Sequence, residues 1–492
     1  MSEMATSLTQ QVEGKTLEFK RDLSSPRPFL KTLVAFANSA GGKLVIGVTD
    51  DRGVVGVEFP LDEEERLANF IAEGISPRLV PNIEMVTVEG RTLLVVEVFL
   101  SGSRPHFVKS EGMERGVYVR LGSTNRQADP QLIAELQRGV SGVSFDALPM
   151  PDLTQDALDL GAINKDFEGR RKVDVQMLQS LRILVKDQER LVPSQGGILL
   201  YGLERRQYFD DAWIQCGRFI GNDKSDIFDH IDIHNPLPKA VDEIMLFLKK
   251  HAMRGSDFSD IRRKDIWSIP VKMLREVVIN ALVHADYSRR GTPTRVGFFD
   301  DRIEIESPGL LLPGLTIEDI KQGVSQIRNP VIARVFRELD LIEQWGSGIP
   351  GIFHQAATDN LPEPSIEEIA GRIRFTVPLR EILPLTRQQS RSGTAGPESK
   401  VQLGLESGAQ SRAQSRAQSQ RILFVLTDTP LASNEIAHIL EIESKSGAFK
   451  RSLKQLLENQ LVEYTIPAKP NSRLQKYRLT EEGRGKIMKD EL

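Results

Sequence analysis

One segment limits how this chain can fold. From Leu385 to Gln420 it reads "LTRQQSRSGTAGPESKVQLGLESGAQSRAQSRAQSQ", with no aromatic residue and a closing four-residue repeat, "AQSR". Such a stretch cannot bury enough apolar surface to offset the entropy of ordering it. It reads as a linker, so the parts before and after it must fold separately. A period of four could also prolong the helix that follows. The chain has 492 residues, too many for one core, and roughly two to four domains are expected. The reading is a region at 1–142, a second at 143–384, the linker at 385–420 and a last region at 421–492.

Charged residues make up 27% of the chain and the net charge is −4, which suits a soluble globular protein. No global field draws it to nucleic acid, so any basic surface must be local. The single cysteine, Cys216, excludes an internal disulfide and a cysteine-based zinc site and suits a reducing cytoplasm. Apolar runs such as "LLVVEVFL" at 93–100 fall short of the roughly 20 residues that span a bilayer. The opening "MSEMATSLTQQVEGK" has no apolar signal segment. A cytoplasmic protein with no membrane partner is expected.

The first region mixes helices and strands. "RPFLKTLVAFANSAGG" has helical spacing and ends in a glycine pair suited to a C-terminal cap. "KLVIGV" reads as a buried strand, and "EMVTVEGRTLLVVEV" as a hairpin turning at Glu89-Gly90. "GVYVRLGSTNRQADPQLIAELQ" reads as a strand, a polar loop and a helix with Asp129 as N-cap and Pro130 at its first position. The polar loop carries Arg120, Ser123, Asn125 and Arg126, which either hold a phosphate or merely lead into the helix.

In the second region, "QGGILLYG" and "AWIQCGRFIG" look like strands and "PKAVDEIMLFLKKHAMR" like an amphipathic helix. "TRVGFFDDRIEIES" suggests two strands joined at Asp300-Asp301. "NPVIARVFRELDLI" reads as a helix, "QWGSGIPGI" as a glycine loop and "GRIRFTVPL" as a closing strand. The whole is expected to be a multidomain α+β protein.

"REVVINALVHADYS" (275–288) is the most informative motif. Steps of four place Glu276, Asn280 and His284 on one helix stripe, while hydrocarbon covers most of the circumference. A buried polar stripe needs partners. "SPG" at 307–309 follows a strand, and "GSGIPG" at 346–351 has three glycines that let backbone amides approach a phosphate. The set suits a magnesium nucleotide: an asparagine oxygen ligates a hard cation and a glutamate orients a water.

With these residues in view, "REVVINALVHADY", "DDRIEIESPG" and "EQWGSGIPGI" resemble the gyrase, histidine-kinase and MutL-type ATPase superfamily (GHKL), in the divergent form fused to Schlafen-like regulators. The resemblance implies an α/β sandwich that binds ATP and Mg2+, with Asn280 as magnesium ligand and Glu276 as general base. It places Gly346, Gly348 and Gly351 on the phosphates, with His284, Ser307 and Gly309 also on the nucleotide. The family's adenine-reading aspartate is replaced here by Ser307, and the lid is short, so binding is better supported than hydrolysis.

"EGKTLEFKRD" puts Glu18 and Lys20 two apart on a strand, hence on one face, with Glu13 just upstream and Asp50-Asp51 after the next strand. Carboxylates with a lysine can hold a divalent metal beside a scissile phosphate, although alternating charge is also usual on a wet strand face. "EGKTLEFKRD", "LVAFANSAGGKLVIGVTDD" and "VYVRLGSTNRQA" resemble the Alba-like domain of Schlafen proteins. That resemblance implies nucleic-acid binding. As an alternative it implies a metal-dependent RNA endonuclease, with Mn2+ a candidate metal on Glu13, Glu18 and Asp50 (or Asp51) and Lys20 beside them. A single copy of the domain would need a homodimer or higher homo-oligomer. Bacterial and archaeal proteins of this kind often carry a RecG-helicase label. The chain lacks the G-x-x-x-x-G-K-[ST] phosphate loop of a helicase motor.

The last region reads helix, helix, helix, strand, loop, strand, the order of a winged helix. Its third helix carries Lys445, Ser446, Lys450, Arg451 and Lys454, backed by Phe449, Leu453, Leu456 and Leu457, and the loop adds Lys469 and Arg473. Cations clustered on the helix and wing that meet a duplex predict double-stranded DNA as partner, with RNA as the alternative. The combined expectation is a DNA-binding transcriptional regulator with a nucleotide switch; a Schlafen-like ribonuclease acting in phage defence is the runner-up.

Overall fold

The computed structural model describes residues 11–252, 254–257, 264–342 and 348–380, and, towards the C-terminus, residues 422, 425–426, 430–432, 435–436, 439, 453, 456–457, 461–465 and 476–480. The chain divides into two compact units, Met1–Arg391 and Ser392–Leu492. The division falls inside the expected linker, whose own residues lie outside the described ones.

The first unit opens with β1 (Leu17–Lys20), α1 (Pro26–Asn38), β2 (Gly42–Ile46), α2 (Pro60–Gly74), β3 (Asn82–Val88) and β4 (Arg91–Val98). The strands form one sheet in the order β1-β2-β4-β3, parallel between β1 and β2 and antiparallel elsewhere. The expected hairpin is β3–β4. Glu89 and Gly90 both have positive φ (52° and 75°), the pairing that a two-residue turn needs to match strand twist. Along β1 the side chains alternate. Leu17 and Phe19 enter a cluster with Val45 and Val95, whereas Glu18 is in register with Leu44, which belongs to the core under α1. This register leaves Glu18 only 8% exposed.

A hairpin follows, β5 (Tyr118–Leu121) and β6 (Thr124–Gln127), and then α3 (Pro130–Val140). The expected polar loop is thus itself mostly strand, with its turn at Gly122. Asp129 caps α3 as anticipated, its carboxylate accepting from the Leu132 amide at 2.8 Å.

"QGGILLYG" corrects the sequence reading. It forms α4 (Gln195–Tyr201), not a strand. Ser194 caps it by accepting from the Gly197 amide at 2.9 Å, and Gln195 is followed by six buried residues. An unbroken apolar run has no period to separate helix from strand, so the cap decides.

Next come β7 (Ile214–Phe219), β8 (Ile227–Ile233), α5 (Leu237–His251), α6 (Val271–Val283), β9 (Thr294–Phe298) and β10 (Arg302–Pro308). They are followed by α7 (Ile317–Lys321), α8 (Pro330–Glu338), α9 (Gly348–Thr358), β11 (Ser365–Ile369) and β12 (Arg372–Pro378). One six-stranded mixed sheet runs β8-β7-β9-β10-β12-β11. Its apolar face, including Cys216, Val296, Ile305 and Phe375, is covered by helices, with Val277, Val278 and Leu282 of α6 in the same core. The expected glycine loop is in part helix: Gly348 and Gly351 lie in α9, and Gly346 lies outside the described residues.

In the second unit the backbone is helical at residues 422 and 425, at 435, 436 and 439, and at 453, 456 and 457. An antiparallel pair follows, β13 (Val462–Tyr464) and β14 (Tyr477–Leu479). Ile422, Leu426, Ile436, Leu453, Leu456, Val462 and Leu479 form its core. The predicted DNA contacts Lys445, Ser446, Lys450, Arg451, Lys454, Lys469 and Arg473 lie outside the described residues. No described helix is long and apolar enough to cross a membrane.

Candidate functional site

The stripe on α6 faces a cavity of about 390 Å³, a size that suits a small-molecule ligand. Glu276, Asn280 and His284 line it together with Ser307 at the end of β10, Gly348 at the start of α9, and the segment from Leu310 to Arg328. Residues far apart in sequence thus converge on one cavity. A second cavity, about 550 Å³, is lined by Trp213, Tyr287 and Arg289 and holds none of the predicted site residues.

The Asn280 amide nitrogen donates to the Glu276 carbonyl and to Glu276 Oε1, both at 3.0 Å. With the nitrogen committed, the amide oxygen is the group left for a hard cation. A Cβ on Gly348 would stand 2.2 Å from Glu276 Oε1, so any side chain there would have to move that carboxylate aside. His284 ends α6, its amide donating to the Asn280 carbonyl at 2.9 Å. Burial, aided by the nearby Arg328 charge, pushes its pKa down to about 4, so the ring is neutral at physiological pH. Ser307 is buried and in register with Ile373. Gly309 has φ 104°, and a Cβ there would lie 2.9 Å from that of Asp286. Gly309 serves the turn, whereas Gly351 has nothing within 4 Å of its Cβ position and takes no part in the cavity lining.

Two residues that the sequence reading passed over, one lining the cavity and one behind it, hold this end together. Arg328 lines it and is 9% exposed; its guanidinium donates to the Leu310 carbonyl and pairs with Glu135. Asn329 is buried, and its amide donates to the carbonyls of Val283 and Ala285 at 2.8 and 2.7 Å, fixing the end of α6. The available signal was Arg-Asn-Pro at a helix start, a polar pair too short to weigh alone.

The N-terminal set behaves differently. Glu18 Oε2 accepts from Arg120 at 2.5 Å and Glu18 Oε1 from Lys20 at 2.5 Å. Arg120 is 1% exposed and also donates to the Gly14 carbonyl and to Asn125, while its guanidinium stacks on Phe36. Arg120 and Asn125 are therefore internal struts, and neither is presented to a phosphate. Glu13 accepts from the Phe19 amide at 2.7 Å, and Asp50 is exposed. Among the described residues no three His, Cys, Asp or Glu side chains are grouped to hold a metal ion. Glu13, Glu18 and Asp50 do not form the expected metal cluster, because the β1–β2 register turns Glu18 inward onto Arg120.

An α/β layer with a polar helix stripe over a cavity is joined to a smaller α+β domain, and comparisons with known proteins class its parts. Residues 13–129 match the family model "Schlafen, AlbA_2", and residues 291–378 match "Putative ATP-dependent DNA helicase recG C-terminal". The chain thus carries a Schlafen/AlbA domain and an ATPase-like domain, a pairing that matches a Schlafen-like, RecG-labelled family. Residues 417–480 match the C-terminal domain of Fic-like proteins, described as filamentation induced by cAMP.

Among solved structures, the DIP2311 protein of Corynebacterium diphtheriae is 19% identical, with 99% of this chain and 98% of that one covered and a TM-score of 0.41. The N-terminal domain of a RecG-related protein from Nitrosomonas europaea is 28% identical over 26% of this chain and 92% of that one, with a TM-score of 0.21. No curated protein matches this chain.

Proposed function

We propose that this protein is a DNA-binding transcriptional regulator whose ATPase-like region is a nucleotide switch. The observation that carries the reading is the cavity of about 390 Å³ that gathers Glu276, Asn280, His284, Ser307 and Gly348. The donor set suits Mg2+ and ATP: Asn280 would hold the cation, the α9 N-terminus at Gly348 offers amides to phosphate, and Glu276 is placed to orient a water. Bound Mg2+ would supply charge neutralisation on the phosphates. Ser307 stands where a carboxylate would select adenine, so binding is the core of the proposal and turnover is secondary.

The C-terminal unit supports the DNA-binding half. The order of its described helical and strand residues fits the winged helix proposed from the sequence, and Leu453 and Leu456 are buried, as a third helix packed on its neighbours would require. The helical period of the sequence puts Arg451 opposite those leucines, with Lys450 and Lys454 together on one side of it. The N-terminal Schlafen/AlbA domain is a second nucleic-acid surface, and a homodimer would let two winged helices read two half-sites.

Calorimetry with ATP and Mg2+ tests the switch. Wild type should bind, and Asn280→Ala should lose binding while remaining folded; equal affinity in the two would overturn the assignment. Glu276→Gln should still bind and should lose any hydrolysis. For the DNA half, Lys450→Glu with Arg451→Glu should eliminate a gel shift on duplex DNA at unchanged melting temperature. Removing a cation that neutralises one phosphate should flatten the salt dependence of binding by about 0.9 in slope.

A further inference from the structure

The wall of the nucleotide cavity is also the seat of the N-terminal domain. Leu310 lines the cavity and packs against the cluster of Val117, Val119, Ala128 and Leu136. Leu311 lines it too; its amide donates to Glu368, whose other oxygen pairs with Lys15 at 2.7 Å. Two residues beyond Leu312, the Gly314 amide donates to the Ser39 carbonyl at 2.7 Å, and Ser39 Oγ in turn accepts from the Arg120 amide. At the far end of the same segment, Arg328 faces the cavity and pairs with Glu135 on α3.

Arg328 is a cation between the N-terminal domain and the cavity. Glu135 holds it now, with the buried Asp286 carboxylate a second, looser partner at 4.0 Å. Burial pushes the Glu135 carboxyl up, opposed chiefly by Arg328, so its charge depends on that arginine staying in place. A nucleotide in the cavity would bring several negative charges to the other side of the same guanidinium, in surroundings where attraction is poorly screened.

We propose that nucleotide occupancy weakens the seating of the N-terminal Schlafen/AlbA domain by drawing Arg328 away from Glu135. This rests on the nucleotide reading of the cavity. Coupling between two sites is reciprocal, so whatever frees Arg328 from Glu135 must also tighten nucleotide binding by the same factor. The cavity wall at Leu310–Leu311, with Gly314 just beyond it, would carry the change to Lys15 and Ser39.

The test uses the full chain and a non-hydrolysable ATP analogue with Mg2+, titrated by calorimetry into wild type, Glu135→Gln, Arg328→Ala and the double variant. Glu135→Gln should bind the analogue roughly fivefold more tightly than wild type, at the lower end of usual coupling strengths. In the Arg328→Ala background the Glu135 substitution should change nothing, because the shared cation is gone. Binding by both wild type and Glu135→Gln with equal affinity overturns the coupling and leaves the nucleotide site standing. No binding by either overturns both. Hydrogen exchange on wild type guards against a variant that does not fold: amides of α3 should exchange several-fold faster once the analogue saturates, and unchanged exchange there also overturns the proposal.

Discussion

Glu276 and Asn280 share a helix face with an open cavity, whereas Glu18 and Lys20 share a strand face with a buried arginine. Both pairs have spacing suited to phosphate chemistry, and both sit in motifs that resemble functional ones. The difference lies in what the tertiary fold places opposite them. On α6, the stripe meets the end of β10, the start of α9 and a loop, and space remains between them. On β1, the register with β2 turns Glu18 toward α1, and Arg120 fills the space. Residue type and period nominate a site; only the partner across the gap decides whether it is a site or a strut.

The strongest way to break this comparison is at Arg120. Arg120→Ala removes four hydrogen bonds donated by the guanidinium and leaves Glu18 buried without its main partner. Deleting one partner of a buried ion pair costs about 3–5 kcal/mol, so the urea midpoint should fall steeply. Glu18→Ala should also destabilise. If Glu18→Ala instead keeps its melting temperature and abolishes manganese-dependent RNA cleavage, Glu18 is catalytic and the contrast with α6 collapses.

Gly348 sharpens the other half. Gly348→Ala must displace the Glu276 carboxylate or shift α9, and should weaken nucleotide binding. Gly351→Ala is the control, with open space at its Cβ position and helical backbone, and should be neutral or stabilising by up to about 1 kcal/mol. Equal effects of the two on affinity would show that the close approach to Glu276 has no role.

His284 gives the cavity a pH signature. Its folded pKa is lowered to about 4 by burial and then by Arg328, against an ordinary value of 6.5. The unfolded chain binds a proton below pH 6.5 that the folded one refuses until about pH 4. Stability should therefore fall as pH drops through that window, by on the order of 2 kcal/mol once partial exposure is allowed for. His284→Asn should flatten the slope of melting temperature between those limits. A wild-type profile with no such slope would place His284 in water and outside the cavity wall.

The smallest effect is expected at Asp129, which caps α3 and pairs with Arg289 at 2.5 Å. Asp129→Ala should cost about 1 kcal/mol, mostly from the lost cap. A loss several times larger would mean that the Arg289 pair anchors the N-terminal domain more strongly than Arg328 does.

Much of the local structure was legible in the chain alone, because it depends on a few neighbouring residues. Asp129-Pro130 marked the start of α3, Glu89-Gly90 marked the hairpin turn, and steps of four set the α6 stripe. The segment expected as a linker, poor in large apolar residues, contains the division between the two units. "QGGILLYG" was misread because a continuous apolar run carries no period, and the glycines after Trp345 were read as a loop although α9 starts at Gly348. The tertiary structure alone decided the pairing of Glu18 with Arg120, 102 residues apart, and that of Arg328 with Glu135, 193 residues apart. The reason is physical. Caps and periodicity act within one or two turns and leave a local trace. Strand register and domain seating arise from contacts between distant segments, and no pattern within either segment records which partner it will meet.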